Sequence, residues 1–302
     1  MRNRRESSAR IVAAVLVSLL LSVAERGPVE AAVPYVQQAI VTASDAAAHD
    51  EFGNAMALSR DGTTLVVGAN TKNTGTGAAY VFVRNGVTWD QQAKLTASGG
   101  ATHDNFGTAV AISADGNTAV IGAQGNQGAA YIFTRSGTTW AQLQKLTFGG
   151  GYADFGCSVA ISADAATILI GAFYDTSHGS AYVYSFSGVT WGLQATLDSN
   201  DALSNDEFGD SVALSGDGNA ALIGAPTRIN QVGAAYLFAR SGASWGQQSD
   251  CSRAMARPSR SSGTPLPSVG TARRFSSRRS STSLGRSMST RCPAADGINK
   301  RN

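Results

Sequence analysis

A fourfold internal repeat constrains the fold of this chain more than any other feature. A Phe-Gly pair recurs about every fifty residues, beginning at Phe52, Phe106, Phe155 and Phe208. A Gly-Ala pair begins sixteen residues after each Phe, at Gly68, Gly122, Gly171 and Gly224. A tryptophan lies nine residues after each of four tyrosines, in the pairs Tyr80–Trp89, Tyr131–Trp140, Tyr182–Trp191 and Tyr236–Trp245. Two fixed spacings in four copies indicate structural units that pack on their neighbours.

Each unit has the pattern of four short strands. In the second unit, residues 109–113, 118–123, 128–135 and 140–147 are apolar or alternating, and an Asp-Gly turn separates the first two segments. No segment of the repeats has a helical period. The sequence therefore predicts an all-β fold of four-stranded antiparallel β-propeller blades, in an incomplete ring of four units. The predicted bounds are about 45–98, 99–147, 148–199 and 200–250.

The Phe-Gly pair, the turn, the apolar run and the Gly-Ala pair together resemble the FG-GAP repeats of integrin α-chain propellers and of bacterial exported proteins. The resemblance covers about residues 32–250. It implies a propeller whose loop-bearing surface binds partners, and hence adhesion or ligand binding to an unknown protein or glycan. Because a fold alone does not define a function, this expectation rests on the family resemblance.

Integrin-type blades often hold calcium in a loop of pattern D-x-[DN]-x-D-G-x-x-D, and this chain departs from that pattern. In the second unit, only Asp115 is acidic, because Ala111, Ser113 and Ala119 occupy the other ligand positions. Calcium takes roughly six to eight oxygen ligands, which one carboxylate per loop cannot supply. We therefore predict no calcium, other metal or cofactor, and expect the four loop acids to form turns: Asp61, Asp115, Asp164 and Asp217.

Several polar residues are candidates for acid–base chemistry. The histidines could be acid–base groups or metal ligands, and the acidic clusters could be the paired carboxylates of a glycosidase. Because most of them recur in equivalent loops, we interpret them as solvated turn residues and predict no catalytic residue and no enzyme. The alternative is a propeller enzyme, a lyase or hydrolase acting on polysaccharide. The candidates are His49, His103, His178, Asp50-Glu51, Asp206-Glu207 and the segment 198–201.

The four tryptophans permit two interpretations. They could form a ring of platforms on which sugars stack, or each could begin an outer strand and pack against the next blade. The fixed distance from each tyrosine favours packing.

The amino-terminal residues 1–31 resemble a secretory signal. Basic residues precede an apolar stretch at 11–24, and small residues allow cleavage after Ala24 or Ala31. An uncleaved membrane anchor is the alternative. The signal predicts a secreted, periplasmic or cell-surface protein with no membrane span after cleavage.

The carboxyl-terminal segment 251–302 departs from the repeat. It carries eleven Lys/Arg residues and one acid, Asp296, whereas the repeats are net acidic, so the overall charge of +3 comes from the two ends. We therefore predict a basic, disordered Ser/Arg-rich tail and no nucleic-acid partner.

Back-translating this tail from the third base of each codon permits a further repeat in order, including a Phe-Gly pair and a tryptophan nine positions after a tyrosine. We hypothesise a fifth repeat read out of frame, and the alternative is a gene product without function. Residues 35–44 match an outer strand that would close the missing last blade of a complete ring. An open arc would expose two apolar faces, which predicts poor solubility and self-association through the open propeller edges.

Overall fold

A computed structural model of the chain describes residues 37–149 and 154–250. The predicted signal segment 1–31 and basic tail 251–302 lie outside the described residues. The chain divides into two units, Met1–Ile40 and Val41–Asn302. The described residues of the first unit, 37–40, form no helix or strand, and the features below belong to the second.

The described part of the second unit contains four antiparallel sheets, each of four strands that pair in sequence order. This confirms the predicted all-β fold of four-stranded propeller blades. We number the blades one to four along the chain. Their strands are β1 Met56–Leu58, β2 Thr64–Ala69, β3 Ala78–Asn85 and β4 Thr88–Leu95; β5 Phe106–Ile112, β6 Thr118–Ala123, β7 Ala129–Ser136 and β8 Thr139–Leu146; β9 Val159–Ile161, β10 Thr167–Ala172, β11 Ser180–Phe186 and β12 Trp191–Leu197; β13 Ser211–Leu214, β14 Ala220–Ala225, β15 Ala234–Ser241 and β16 Ser244–Asp250.

The connections between the second and third strands of the blades differ in length. Blades one and four use eight residues there, which include the short helical turns α1 Lys72–Gly75 and α2 Arg228–Gln231. Blade two connects β6 to β7 with five residues and has no such turn. The strands of the blades are alike, so this connection is where the blades differ most.

The strands predicted for the second repeat agree closely with the observed strands of blade two. Strand β6 has the predicted bounds, and β7 and β8 each differ by one residue at either end. Strand β5 ends before Ser113 because the hydroxyl of that residue serves the following turn, donating to Asp115 and accepting from the backbone N–H of Thr118. The loop acids also form turns as predicted: Asp61, Asp115, Asp164 and Asp217 each accept a hydrogen bond from the serine two residues earlier.

Neighbouring blades share a hydrophobic core. Between blades one and two, Val66 and Val81 pack with Phe106 and Ile121, all of them fully buried. Equivalent clusters join blades two and three and blades three and four. In blades two, three and four, the phenylalanine of the Phe-Gly pair therefore fills the space between its own blade and the preceding one.

The glycines of the two motifs meet across the same interface. A Cβ atom at Gly68 would lie 2.0 Å from the carbonyl oxygen of Gly107 in the next blade, so no larger residue fits without a backbone shift. Gly122 has the same relation to Gly156, and Gly171 to Gly209. The Gly-Ala pair of one blade and the Phe-Gly pair of the next are thus two halves of one contact.

The first and last blades expose different faces. In blade one, Val41, Ala43 and Phe52 cover part of the face that other blades turn to a preceding neighbour. In blade four, Leu222 is 43 % exposed, whereas its equivalent Leu169 in blade three is fully buried. No hydrophobic cluster of the described residues joins blades one and four, so their ring of sheets is not closed. Residues 37–44, which match an outer strand in sequence, form no strand.

Candidate functional site

In blades one, two and four, the loop before the Phe-Gly pair directs one aspartate into the blade. In blade one, His49 and Glu51 adopt the left-handed conformation, with φ of 67° and 52°, on either side of Asp50. The Asp50 carboxylate then accepts the backbone N–H of Ala47 at 2.7 Å. Such backbone conformations cost about 1 kcal/mol or more each and are concentrated at functional sites. The loops of blades two and four repeat the arrangement with His103, Asp104 and Asn105, and with Asn205, Asp206 and Glu207.

In blade one, this aspartate belongs to a larger group that we call the first-blade cluster: Asp45, Asp50, Lys72, Tyr80 and Lys94. The α1 turn brings the buried Lys72 Nζ to 2.7 Å from Asp50 Oδ2 and 3.5 Å from Asp45 Oδ2. Asp45 also accepts the Tyr80 hydroxyl and the Lys94 ammonium, both at 2.7 Å. Two carboxylates and two ammonium groups therefore neutralise one another behind the loop.

These contacts set the protonation states of the cluster. Hydrogen bonds from Lys94 and Tyr80 hold the pKa of Asp45 well below its ordinary value, and Lys72 lowers the pKa of Asp50. Burial alone would lower the pKa of Lys72, but its hydrogen bond to Asp50 and both carboxylate charges outweigh burial and raise it. Burial and the bond to Asp45 raise the pKa of Tyr80. Asp45, Asp50 and Lys72 are therefore ionised at neutral pH, beside a neutral Tyr80.

Blade four repeats this cluster with an arginine. Arg228 donates to Asp206 at 2.7 Å and to Asp201 at 2.5 Å, and the Tyr236 hydroxyl donates to Asp201 at 3.1 Å. Burial raises the pKa of Tyr236 to about 12, although the charge of Arg228 opposes the rise. Counted from Phe208, the three charged residues stand at the same positions as Asp45, Asp50 and Lys72 counted from Phe52.

Blade three fills the equivalent space in another way. Phe148 stands at the position of Asp45, and its ring centroid lies 4.9 Å from that of Tyr182. The Tyr182 hydroxyl donates instead to Asp175, which stands at the position of Lys72. Burial and this bond raise the pKa of Tyr182. An aromatic ring and one carboxylate thus replace the ion pairs of blades one and four.

Blade two leaves a cavity of about 570 Å³ at the equivalent place, which we call the second-blade cavity. Gly99 replaces Asp45, and Asn126 replaces Lys72. Tyr131, only 1 % exposed, lines the cavity, and its hydroxyl has no hydrogen-bond partner among the described residues. Lys145 also lines the cavity, with its Nζ 5.3 Å from the centroid of the Tyr131 ring. Asp104 accepts Asn126 Nδ2 at 2.6 Å. This cavity is the best candidate for a binding site.

The candidate catalytic residues are not gathered in one place. His49 and His103 lie exposed in separate blade loops. His178, which the sequence places alone in a polar loop, has its Nε2 at 3.8 Å from Asp198 Oδ1. In both acidic pairs, the aspartate is committed to an internal cation, Lys72 or Arg228. Within 37–149 and 154–250, no three His, Cys, Asp or Glu residues are placed to hold a metal ion.

The prediction that the tryptophans pack against the next blade is wrong, because they contact the preceding blade. Trp140 Nε1 donates to Gln92 of the preceding blade at 2.9 Å, and Trp245 Nε1 donates to Gln194 of the preceding blade at 3.2 Å. The reason is the strand register, in which Trp140 lies directly opposite Arg135 and thus on the same sheet face as Tyr131. That face packs against the preceding blade. All four tryptophans are partly or fully buried, which favours a structural role over sugar stacking.

Sequence reasoning missed the site of the second-blade cavity. Its defining positions lie seven residues before and twenty residues after each Phe of the Phe-Gly pairs. The first position holds Asp45, Gly99, Phe148 and Asp201, and the second holds Lys72, Asn126, Asp175 and Arg228. If the four repeats are aligned and these two positions are compared together, opposite charges stand there in the first and fourth copies and not in the second.

Comparison with known proteins supports the fold. A solved structure, that of the Pseudomonas aeruginosa periplasmic gluconolactonase PpgL, resembles this chain with a TM-score of 0.51 and 16% sequence identity. The match covers 68% of this chain and 58% of that chain, so the chain spans less than two thirds of the solved structure. At this identity the likeness concerns the fold alone. No curated protein sequence is significantly similar to the chain.

No helix within the described residues is long and apolar enough to cross a membrane. The family model described as FG-GAP repeat matches residues 35–82, 89–133, 140–184 and 191–238. The second to fourth matches begin in or directly at the outer strand of one blade and end in the third strand of the next, so each spans a blade interface. Because these matches cover more than half of its residues, the chain belongs to the FG-GAP repeat family.

Proposed function

We propose that this protein is an exported, non-enzymatic propeller module that binds a protein or glycan ligand, in the service of adhesion or surface ligand binding. The observation that carries the proposal is the second-blade cavity, which lies where blades one and four have ion pairs and blade three has an aromatic ring and a carboxylate. Family membership adds support, because repeats of this kind present their blade loops to partners. Small-molecule sites are typically concave and of about 300–1,000 Å³, a range that includes this cavity.

Binding is tested with the full chain on arrays of glycans and of extracellular matrix proteins. We expect a small set of ligands to be retained, and retention to fall when Tyr131 is replaced by alanine. The matched control is Tyr80→Ala, which removes the equivalent tyrosine of blade one. Absence of any saturable ligand, or equal retention by both variants, contradicts the proposal.

We further propose export to the periplasm, the cell surface or the medium. The charged and apolar pattern of residues 1–31 supports this, and PpgL is described as periplasmic. Expression with the native amino terminus in a bacterial host, followed by cell fractionation, tests it. We expect the mature chain outside the cytoplasm, with its new amino terminus after Ala24 or Ala31. Full-length chain confined to the cytoplasm contradicts export.

An enzyme of the hydrolase or lyase class, acting on polysaccharide, is the second candidate. Two observations favour it: the named activity of PpgL and the approach of His178 to Asp198 at 3.8 Å. Release of reducing or unsaturated sugars from polysaccharides, lost in His178→Ala and kept in His49→Ala, would establish it. Ligand binding without turnover favours the first proposal.

We propose that the exposed face of blade four accepts a second copy of the chain. Three internal interfaces of this protein join the same pair of blade faces, and blade one carries part of the complementary face. Light scattering tests this with Leu222→Lys, against Leu143→Lys as a control of equal exposure, 43 % and 44 %. We expect Leu222→Lys alone to reduce self-association. A monomeric wild type at high concentration contradicts it.

We also propose that segment 251–302 is a fifth repeat read out of frame. If the gene is read in the alternate frame near codon 250, it should continue into further repeats. Stop codons scattered through that frame contradict the proposal. If the frame is open and the in-frame product binds no ligand, the alternative of a gene product without function is supported.

A further inference from the structure

The four blades place one tyrosine at the same position behind the Phe-Gly loop, and three of the four hydroxyl groups donate to a carboxylate. Tyr80 donates to Asp45, Tyr182 to Asp175 and Tyr236 to Asp201. The fourth hydroxyl, that of the buried Tyr131, has no partner in 37–149 or 154–250 and lines the second-blade cavity. Because this hydroxyl borders the cavity, it is available to donate to an acceptor from outside the chain.

The missing acceptor is explained by one residue. Gly99 occupies the position of Asp45 in a turn closed by the same hydrogen bond, since Gly100 N–H donates to Ala97 at 3.1 Å where Ala46 N–H donates to Ala43 at 3.2 Å. The two turns differ in backbone conformation at this residue, because φ is 73° at Gly99 and is not positive at Asp45. The flanking contacts also correspond: Ser98 N–H donates to Gln142 at 2.9 Å and Ser44 N–H to Gln91 at 2.8 Å. Gly99, Tyr131 and Lys145, all lining the cavity, are thus the equivalents of Asp45 and of two of its partners.

We propose that the second-blade cavity binds the carboxylate group of a small ligand, which takes the place that the Asp45 carboxylate has in blade one. The Tyr131 hydroxyl would donate to it, and the Lys145 ammonium would pair with it, as Tyr80 and Lys94 do with Asp45. Charge-assisted hydrogen bonds of this kind are stronger than neutral ones. This inference rests on the proposed binding function and names the chemistry of its ligand.

The remaining charges of the cavity are compatible with an anion. Among the residues that the structure describes, Asp104 is the only carboxylate lining it, and it already accepts the Ala101 N–H at 2.8 Å and Asn126 Nδ2 at 2.6 Å. In blade one, Asp50 occupies the same position beside Asp45, so two carboxylates share one site there. Because Asn126 replaces the bridging Lys72, binding depends on Tyr131 and Lys145, and we expect a weak site.

The test is titration of the full chain with sodium glucuronate, followed by calorimetry or NMR. Glucose is the matched neutral sugar, and N-acetylaspartate presents the same carboxylate as an acidic protein side chain does. We expect at least one of the two carboxylates to bind at least tenfold more tightly than glucose. Tighter binding of glucuronate would indicate a sugar acid as the natural ligand, and tighter binding of N-acetylaspartate would indicate an acidic peptide. Either result supports the inference.

Matched variants locate the binding. Tyr131→Phe and Lys145→Met should each weaken carboxylate binding about tenfold, whereas Tyr80→Phe and Lys94→Met, the equivalent changes in blade one, should leave it unchanged. Gly99→Asp supplies an internal carboxylate and should abolish binding. A Cβ atom at Gly99 meets no atom within 4 Å, and aspartate tolerates the φ of 73° at this position better than most residues. An unfolding midpoint equal to or above that of wild type shows that Gly99→Asp is folded.

Three results would overturn the inference: glucose binding as tightly as glucuronate, neither carboxylate binding, or Tyr131→Phe binding as wild type does. If array ligands still bind the chain in any of these cases, the proposed binding function stands and only the carboxylate site fails. Loss of every ligand defeats both.

Discussion

Blades one and two contain the same loop, the same tyrosine and the same outer-strand lysine, yet blade one is closed by ion pairs and blade two holds a cavity. Two replacements, Gly99 for Asp45 and Asn126 for Lys72, account for the difference together with a connection three residues shorter. A repeat architecture thus provides its own control, because the strands remain constant while one loop site changes. The comparison teaches that internal charge pairs and an open cavity are alternative outcomes at one position of the repeat.

The largest expected contrast concerns the cation. Lys72→Ala leaves Asp50 buried without its partner, so we expect the free energy of unfolding to fall by about 3 kcal/mol. The equivalent change in blade two, Asn126→Ala, removes only a neutral donor from Asp104 and should cost about 1 kcal/mol. Urea denaturation measures both. Equal losses would mean that the two loops depend on these residues alike.

The tyrosines provide the next contrast. Tyr80→Phe removes a donor from the Asp45 carboxylate and should lower the free energy of unfolding by about 1.5 kcal/mol. Tyr131→Phe removes a hydroxyl without a partner in the described part of the chain and should be neutral or slightly stabilising. Thermal unfolding of both variants, without added carboxylate, measures the difference. A comparable loss in Tyr131→Phe would reveal an internal acceptor for its hydroxyl.

The dependence of stability on pH should reveal the contribution of Asp45, a carboxylate that blade one has and blade two lacks. Because folding lowers the pKa of Asp45 from 3.8, its contribution is complete above this value and disappears as the pH falls through the folded-state pKa. Solvent exposure of Asp45 limits this contribution to about 1 kcal/mol. We therefore expect wild type to exceed Asp45→Asn by this amount at pH 7, with the difference shrinking below about pH 4. A difference independent of pH would contradict the assignment.

Gly99→Asp should produce the smallest change. Its new carboxylate gains contacts with Tyr131 and Lys145 but takes up a left-handed conformation that costs about 1 kcal/mol. We expect a net gain of about 0.5 kcal/mol at pH 7 that disappears at pH 2, as measured by denaturation at both values. A gain of the same size at both values would show that the carboxylate charge is not its cause.

The strands could be predicted from the sequence because their signal is local. Strand β6 is a continuous apolar run between an Asp-Gly turn and a Gly-Ala pair, and its observed bounds are those predicted. The direction of tryptophan packing could not be predicted in this way. Alternation along a strand indicates which residues share a face, but the neighbour that the face meets depends on how the blades follow one another.

The second-blade cavity could not be predicted from the sequence of one repeat, because the residues that define it are distant in sequence. Asp45 and Lys72 are 27 residues apart, and they meet only because the α1 turn directs Lys72 back to the loop. A single unit reveals no such pairing. The pairing becomes visible only when the four repeats are compared at these two positions. The first and fourth repeats hold an ion pair there, the second holds Gly99 with Asn126, and the third holds Phe148 with Asp175.

The exposed face around Leu222 has a consequence for how a chain of this kind can lengthen. The same pair of blade faces meets at the three internal interfaces, where the Gly-Ala pair of one blade contacts the Phe-Gly pair of the next. Tandem duplication of the last unit would therefore place a matching surface on Leu222 at once, with no further substitution needed. Loops such as that around Gly99 could then diverge in the new copy, because the contact that holds the array together lies elsewhere.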